Sequence, residues 1–121
     1  MIKLVMPMKR RPGMSVAEFR EYYENQHRLI GEKYLDGYAV KYLRRFTNPT
    51  VDRDGETREP EYDVFLEIWY PDEETMTACS SVLSSPAAQE EILNDEEQLF
   101  DTRFMRSYIV DECESELSPR R

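Results

Sequence analysis

The chain carries 121 residues, 40% hydrophobic and 34% charged, enough apolar material for one domain with its own core and too much for wholesale disorder. A formal net charge of -9 leaves no basic footprint for phosphate backbones or anionic lipid, so nucleic acid and membrane are set aside as partners. The sequence holds no run of about 18 apolar residues, and its apolar opening precedes Lys9-Arg10-Arg11, the reverse of a secretory signal, so a cytoplasmic location is expected.

Ile2 to Met8 is a short, partly alternating apolar run that predicts a first strand, with Pro7 suited to an edge or a strand terminus. Lys9 to Met14 reads as a turn. Ser15-Val16-Ala17-Glu18 has the S-x-x-E pattern of a capping box, in which serine and glutamate satisfy two backbone amides that a helix start leaves orphaned, so a first helix is predicted from Ser15 to about Tyr34. Gly37 releases the chain into a second strand over residues 38–46, and a polar loop with Asp54-Gly55 leads to a third over 62–70. Asp72 caps a second helix that stops near Ser84. Ser85-Pro86 starts another, whose Ala88, Ile92 and Leu99 form an apolar side opposite Glu90, Glu91, Asp95 and Glu97. Residues 104–110 predict a fourth strand, giving a domain over 1–112 and a polar, disordered tail over 113–121.

The order β-α-β-β-α-β is that of the ferredoxin-like α+β sandwich, in which helices cover one face of a four-stranded antiparallel sheet. The second and third strands carry apolar or aromatic side chains at both parities, with Val64, Leu66 and Ile68 set against Phe65 and Trp69, which is not the pattern of a sheet with one wet face. A second copy is the simplest cover. A homodimer through sheet faces, a dimeric α+β barrel, is therefore expected.

His27 is the single histidine. At about 100° per residue it shares a helical stripe with Val16, Phe19, Tyr23, Ile30 and Tyr34. An imidazole thus points under the helix layer, either as an acid/base group or as a hydrogen-bonded core histidine. Tyr23, Tyr42, Glu67 and Trp69 are the candidate substrate-binding residues. Tyr42 has a phenol to donate to a carbonyl, Trp69 a face for stacking, and Glu67 a carboxylate to orient His27 or share a proton with it. The alternatives are plain sheet aromatics for Tyr42 and Trp69 and an ion pair with Arg44 or Arg106 for Glu67, and the pattern leaves open which sheet face meets the helices. Asp52-Arg53-Asp54-Gly55-Glu56 lacks the ligand spacing of a calcium loop, and Asp95-Glu96-Glu97 reads as the wet face of a helix, so no metal is expected. Cys79 and Cys113, far apart and without a CxxC, read as free thiols.

Lys9-Arg10-Arg11-Pro12-Gly13-Met14-Ser15, Glu18-Phe19, Tyr22-Tyr23 and His27 together resemble the opening signature of the EthD family, and Phe100 to Phe104 with Val110-Asp111-Glu112 is similar to its closing strand. With Glu67-Ile68-Trp69-Tyr70 between them, the resemblance spans nearly the whole chain. The family pattern has a proline soon after the histidine. Here Arg28-Leu29 follows, so the first helix is expected to continue regularly. The resemblance implies the dimeric barrel and a small-molecule enzyme that needs no organic cofactor and acts on an aromatic or polyketide-like substrate. In it His27 would move a proton in a dehydration, cyclisation or isomerisation, or in a cofactor-independent oxidation. Two other readings stand beside it: haem held by His27, because similar barrels bind haem, and a non-catalytic accessory protein that binds a hydrophobic metabolite of a degradation pathway.

Overall fold

The computed structural model describes residues 1–120. Strands β1 (Ile2–Met8), β2 (Lys41–Phe46), β3 (Val64–Tyr70) and the short β4 (Tyr108–Ile109) form one antiparallel sheet in the order β2-β3-β1-β4. This is the ferredoxin-like chain path. Pro7 lies in the half of β1 that β4 does not reach, since β4 pairs with Leu4 and Val5, so that half of the strand is an open edge.

The helical layer opens with α1 (Val16–Tyr22), whose capping box forms as expected: Glu18 N donates to Ser15 Oγ at 3.1 Å and Ser15 N to Glu18 Oε1 at 3.4 Å. The helix does not then continue regularly. Tyr23–His27 is a π-turn, with Arg28 N donating to Tyr23 O, before α2 (Arg28–Leu35) resumes. The cause is the spacing of the core side. Phe19, Tyr23, His27, Gly31 and Leu35 recur every fourth residue, and at about 100° per residue each such step drifts by about 40° around an ideal α-helix. One wide turn counters that drift and keeps Phe19, Tyr23, His27 and Leu35 buried. Val16, expected on the same stripe, is 40% exposed.

Helices α3 (Glu73–Leu83), capped by Asp72, and α4 (Pro86–Leu99), capped by Ser85, complete the layer. Val64, Leu66, Ile68 and Tyr70 of β3 face it and pack with Met8, Phe19, Tyr23, Leu35, Cys79, Leu99 and Phe100. Burial of each large apolar side chain in this core contributes about 1.5–3 kcal/mol. The other parity is uncovered. Register puts Phe65, Glu67 and Trp69 on that face with Lys3, Val5 and Pro7 of β1 and Lys41, Leu43 and Arg45 of β2.

Three expected boundaries move. The second strand begins at Lys41 because Tyr38 N and Ala39 N still donate to Leu35 O, at 3.0 and 2.9 Å, closing the helix. The third begins at Val64, since Asp63 instead accepts from Arg10 N and Nη1 at 2.8 and 2.6 Å. The fourth shrinks to Tyr108–Ile109 because Asp101 caps a 3-10 turn over Thr102–Phe104. The segment after Glu112 forms no helix or strand and is exposed, and Arg121 lies outside the described residues. Among the described residues no helix is long and apolar enough to cross a membrane.

Candidate functional site

The π-turn sets His27 under the helical layer, edge-on to Tyr23 and Phe100 with ring centroids 5.1 and 5.3 Å away. Main-chain bonds from Arg11 N to Leu99 O at 2.8 Å and from Asp101 N to Lys9 O at 2.9 Å fix the end of α4, and with it Phe100, beside the end of β1. His27 Nδ1 lies 2.7 Å from Asp95 Oδ2 on α4, and Tyr22 donates its hydroxyl to Asp95 Oδ1 at 2.5 Å. A carboxylate held from its far side by a phenol presents its second oxygen to the ring. That acceptor selects the tautomer with the proton on Nδ1 and leaves the Nε2 lone pair free. Burial pushes His27 below its ordinary pKa by more than the bond to Asp95 and its charge raise it, which favours the neutral imidazole. Burial, then the hydrogen bond and charge of Asp95, push Tyr22 up to about 12, so it remains a donor.

The ring borders a cavity of about 390 Å³ between sheet and helices. This is within the range of small-molecule sites, about 300–1,000 Å³. Leu4, Met6, Leu66, Ile68, Ile30 and Ile92 make its walls apolar, while Tyr42 and the exposed Ser80 and Ser107 are hydroxyl-bearing residues of its lining. Among the described residues on the wall there is no lysine or arginine, and Glu96 is the one carboxylate. Burial, then the charge of Asp95, push Glu96 up to about 7.

Of the residues expected to bind substrate, Tyr42 shares the cavity with His27. Its ring lies against α2 where Gly31 has no side chain: a Cβ there would stand 2.6 Å from the Tyr42 hydroxyl oxygen. Tyr23 is fully buried and does not border the cavity, packing instead against Phe19, Phe46 and Phe100 as a support for the imidazole. Glu67 and Trp69 lie across the sheet from His27, because β3 turns Val64, Leu66, Ile68 and Tyr70 to the helices and therefore turns these two away. There Glu67 accepts from Arg45 Nε at 2.7 Å and from Trp69 Nε1 at 3.0 Å, and the Trp69 ring faces the Lys3 and Lys41 ammoniums at 3.8 and 4.4 Å. In a single chain neither meets the histidine.

Asp95, expected on a wet face opposite the apolar side of α4, and its neighbour Glu96 point inward instead. A signal for this exists in the sequence. Positions 95 and 96 fall at helical spacing between Ile92 and Leu99, on the stripe that also holds Ala88.

The family model for the EthD domain matches residues 11–103. The chain belongs to the EthD family. The crystal structure of an ethyl tert-butyl ether d (EthD) family protein from Bacillus halodurans is similar, with a TM-score of 0.61 at 16% identity over 93% of this chain and 100% of the other. An uncharacterized NIPSNAP-like domain protein from Burkholderia xenovorans gives 0.58 at 20% identity over 98% and 89%. HapK from Hahella chejuensis gives 0.58 at 9% identity over 99% and 100%. At such identities these likenesses concern the fold. A search of curated proteins finds no match.

The cavity of this EthD protein does not suit haem. Two propionates call for cationic partners, whereas no lysine or arginine is among the described wall residues. Among the described residues no group of three or more His, Cys, Asp or Glu is arranged to hold a metal ion.

Proposed function

We propose that this EthD protein is an enzyme that moves a proton on a small aromatic or polyketide-like substrate, with His27 Nε2 as the base and Asp95 as the group that orients it. The observation that carries the reading is the 2.7 Å contact between Nδ1 and Asp95 Oδ2 at the wall of the cavity. A neutral imidazole held in one tautomer takes up a proton at Nε2, and the adjacent carboxylate stabilises the imidazolium that results. The apolar walls suit a flat hydrocarbon frame, and the hydroxyls of Tyr42, Ser80 and Ser107 suit its oxygens. Dehydration, cyclisation and isomerisation share such a proton removal, and a cofactor-independent oxidation begins with it.

The same proposal includes a homodimer through the uncovered sheet face, supported by Val5, Leu43, Phe65 and Trp69 on that face. A cytoplasmic location is part of it too, supported by the free Cys79 and Cys113.

The test begins with native mass spectrometry to identify a co-purified ligand, followed by turnover assays on that compound and its congeners. His27→Gln keeps a polar side chain but cannot cycle a proton near pH 7, so turnover should fall by about 100-fold or more with little change in melting temperature. A folded His27→Gln protein with full turnover contradicts the proposal. A compound bound tightly and never converted favours the accessory binding protein instead.

A further inference from the structure

One titratable group on the cavity wall is not used by the chemistry of His27 and Asp95. Glu96 follows Asp95 on α4, so the two side chains diverge by about 100° around the helix. Asp95 turns to the imidazole and Glu96 to the cavity. The other titratable groups on that wall are His27 from the π-turn, Tyr34 from α2, Tyr42 from β2 and Tyr70 from β3, with Asp95 next to Glu96 in the chain. Tyr34 is committed to Glu91, to which it donates at 2.7 Å, and Tyr70 to the Cys79 sulfur at 3.6 Å. Among the described residues no cation faces the Glu96 carboxyl from the wall. An unpaired carboxylate in an apolar wall is costly, whereas a carboxylic acid there is a proton donor aimed at whatever fills the space.

We propose that Glu96 is a second catalytic group, a general acid working with His27, and that the pair acts on an uncharged ketone bearing an acidic carbon-bound hydrogen. This rests on the reading of His27 as the base. His27 Nε2 takes the proton from the carbon next to the carbonyl, and the C–H electron pair forms a carbon–carbon double bond. The carbonyl π pair moves onto oxygen, and Glu96 gives that oxygen its proton. The enzyme then holds an imidazolium and a carboxylate. Return of the oxygen-bound proton to Glu96, with delivery of the His27 proton to carbon, restores both groups without a further reactant. Burial and the charge of Asp95 push Glu96 up to about 7, so a large share of it is protonated near neutral pH while His27 is not. An anionic substrate is disfavoured. Asp95 repels it, the substrate's charge would add to the difficulty of ionising Glu96, and the described wall has no lysine or arginine to receive it.

The test follows deuterium incorporation into 2-tetralone, an uncharged aromatic ketone, by proton NMR in D2O. Wild type, His27→Gln and Glu96→Gln are compared, each verified by a cooperative melt. Wild type should accelerate exchange, and each variant should lose about 100-fold of the acceleration. The wild-type rate should fall as pH rises past 7, and Glu96→Gln should lack that limb, which damage to structure alone would not remove. Full exchange in Glu96→Gln with loss in His27→Gln overturns the proposal for Glu96 and leaves the reading of His27 standing. Loss in Glu96→Gln with full exchange in His27→Gln overturns the pairing and the base together. Absence of acceleration by wild type overturns both. If Glu96→Gln does not melt cooperatively, Glu96→Asp replaces it. The proposal expects a reduced rate that keeps the high-pH limb, and a full rate overturns it.

Discussion

Asp95 Oδ2 and His27 Nδ1 lie 2.7 Å apart across 68 positions of sequence, joining the π-turn of the first helical arm to the last helix. Neither partner is free to drift. His27 is wedged between the rings of Tyr23 and Phe100, and Asp95 is held on its other oxygen by Tyr22. The imidazole is thereby held in one orientation by the protein alone, which is the preorganisation that the proposed role as a base calls for.

Tyr22→Phe removes the hydroxyl that donates to Asp95 and leaves the bond to His27 in place. Loss of a hydrogen bond to a charged acceptor should cost about 1–3 kcal/mol of stability in urea unfolding. Turnover should stay within a few-fold of wild type. Unchanged stability would show that the phenol does not support the carboxylate.

Glu96→Gln should change stability in a pH-dependent way. The folded pKa of about 7 lies above the ordinary 4.5, so the contribution of Glu96 is full below about pH 4.5 and is lost as pH rises through 7. Glutamine has no proton to lose. The variant and wild type should therefore converge toward pH 5, and at pH 8 the variant should be the more stable by about 1–2 kcal/mol, after allowance for partial exposure of the carboxyl. His27 acts in the opposite sense in both proteins, so the difference between them isolates Glu96. Denaturation curves showing a difference that does not vary with pH would contradict this.

The approach of Tyr42 to Gly31 gives a prediction whose sign depends on background. Alanine favours a helix over glycine by about 1 kcal/mol. At position 31, however, its Cβ meets the Tyr42 hydroxyl at 2.6 Å and must displace the ring, at about 1–3 kcal/mol. Gly31→Ala should destabilise wild type and stabilise the Tyr42→Ala protein, measured as a double-mutant cycle. Stabilisation in both backgrounds would show that the ring moves aside freely, and destabilisation in both would show that the clash is not with Tyr42.

For the proposed dimer, Phe65→Asp puts a carboxylate on the uncovered face without touching the core parity of β3. Sedimentation should show a wild-type dimer and a monomeric variant that still melts cooperatively, since an unpaired charge in an interface costs several kcal/mol. A wild-type monomer at micromolar concentration would remove the proposal.

Much of the fold is legible in the chain. The capping box at Ser15 and Glu18, the caps at Asp72 and Ser85-Pro86, and the apolar run of β3 act locally, and each appears where its residues place it. What the pattern misses depends on partners. Residues 104–110 have a strand's composition, but Asp101 spends its carboxylate on a 3-10 turn and shortens the pairing. Apolar residues at both parities of β3 leave the sheet's orientation open, so Glu67 and Trp69 are as plausible beside the histidine as Val64 or Leu66 until the helices choose a face. His27 itself follows from helical periodicity. Asp95 and Glu96 are hidden by their company: two acids beside Glu97 look like solvated surface, though they sit in step with Ile92 and Leu99. The four-residue repeat from Phe19 to Leu35 is the trace of the π-turn.

Because His27 is the single histidine, the imidazole signals of the protein belong to it without assignment. Nitrogen-15 NMR of histidine-labelled protein across a pH series reads its tautomer and its titration together. The expected result is a neutral ring at pH 7 with the proton on Nδ1 and Nε2 unprotonated, titrating below the ordinary 6.5, and a further fall in that midpoint in Asp95→Asn, which removes the charge that raises it. A ring protonated on Nε2 at pH 7, or one that is cationic there, would contradict the assignment of Nε2 as the base.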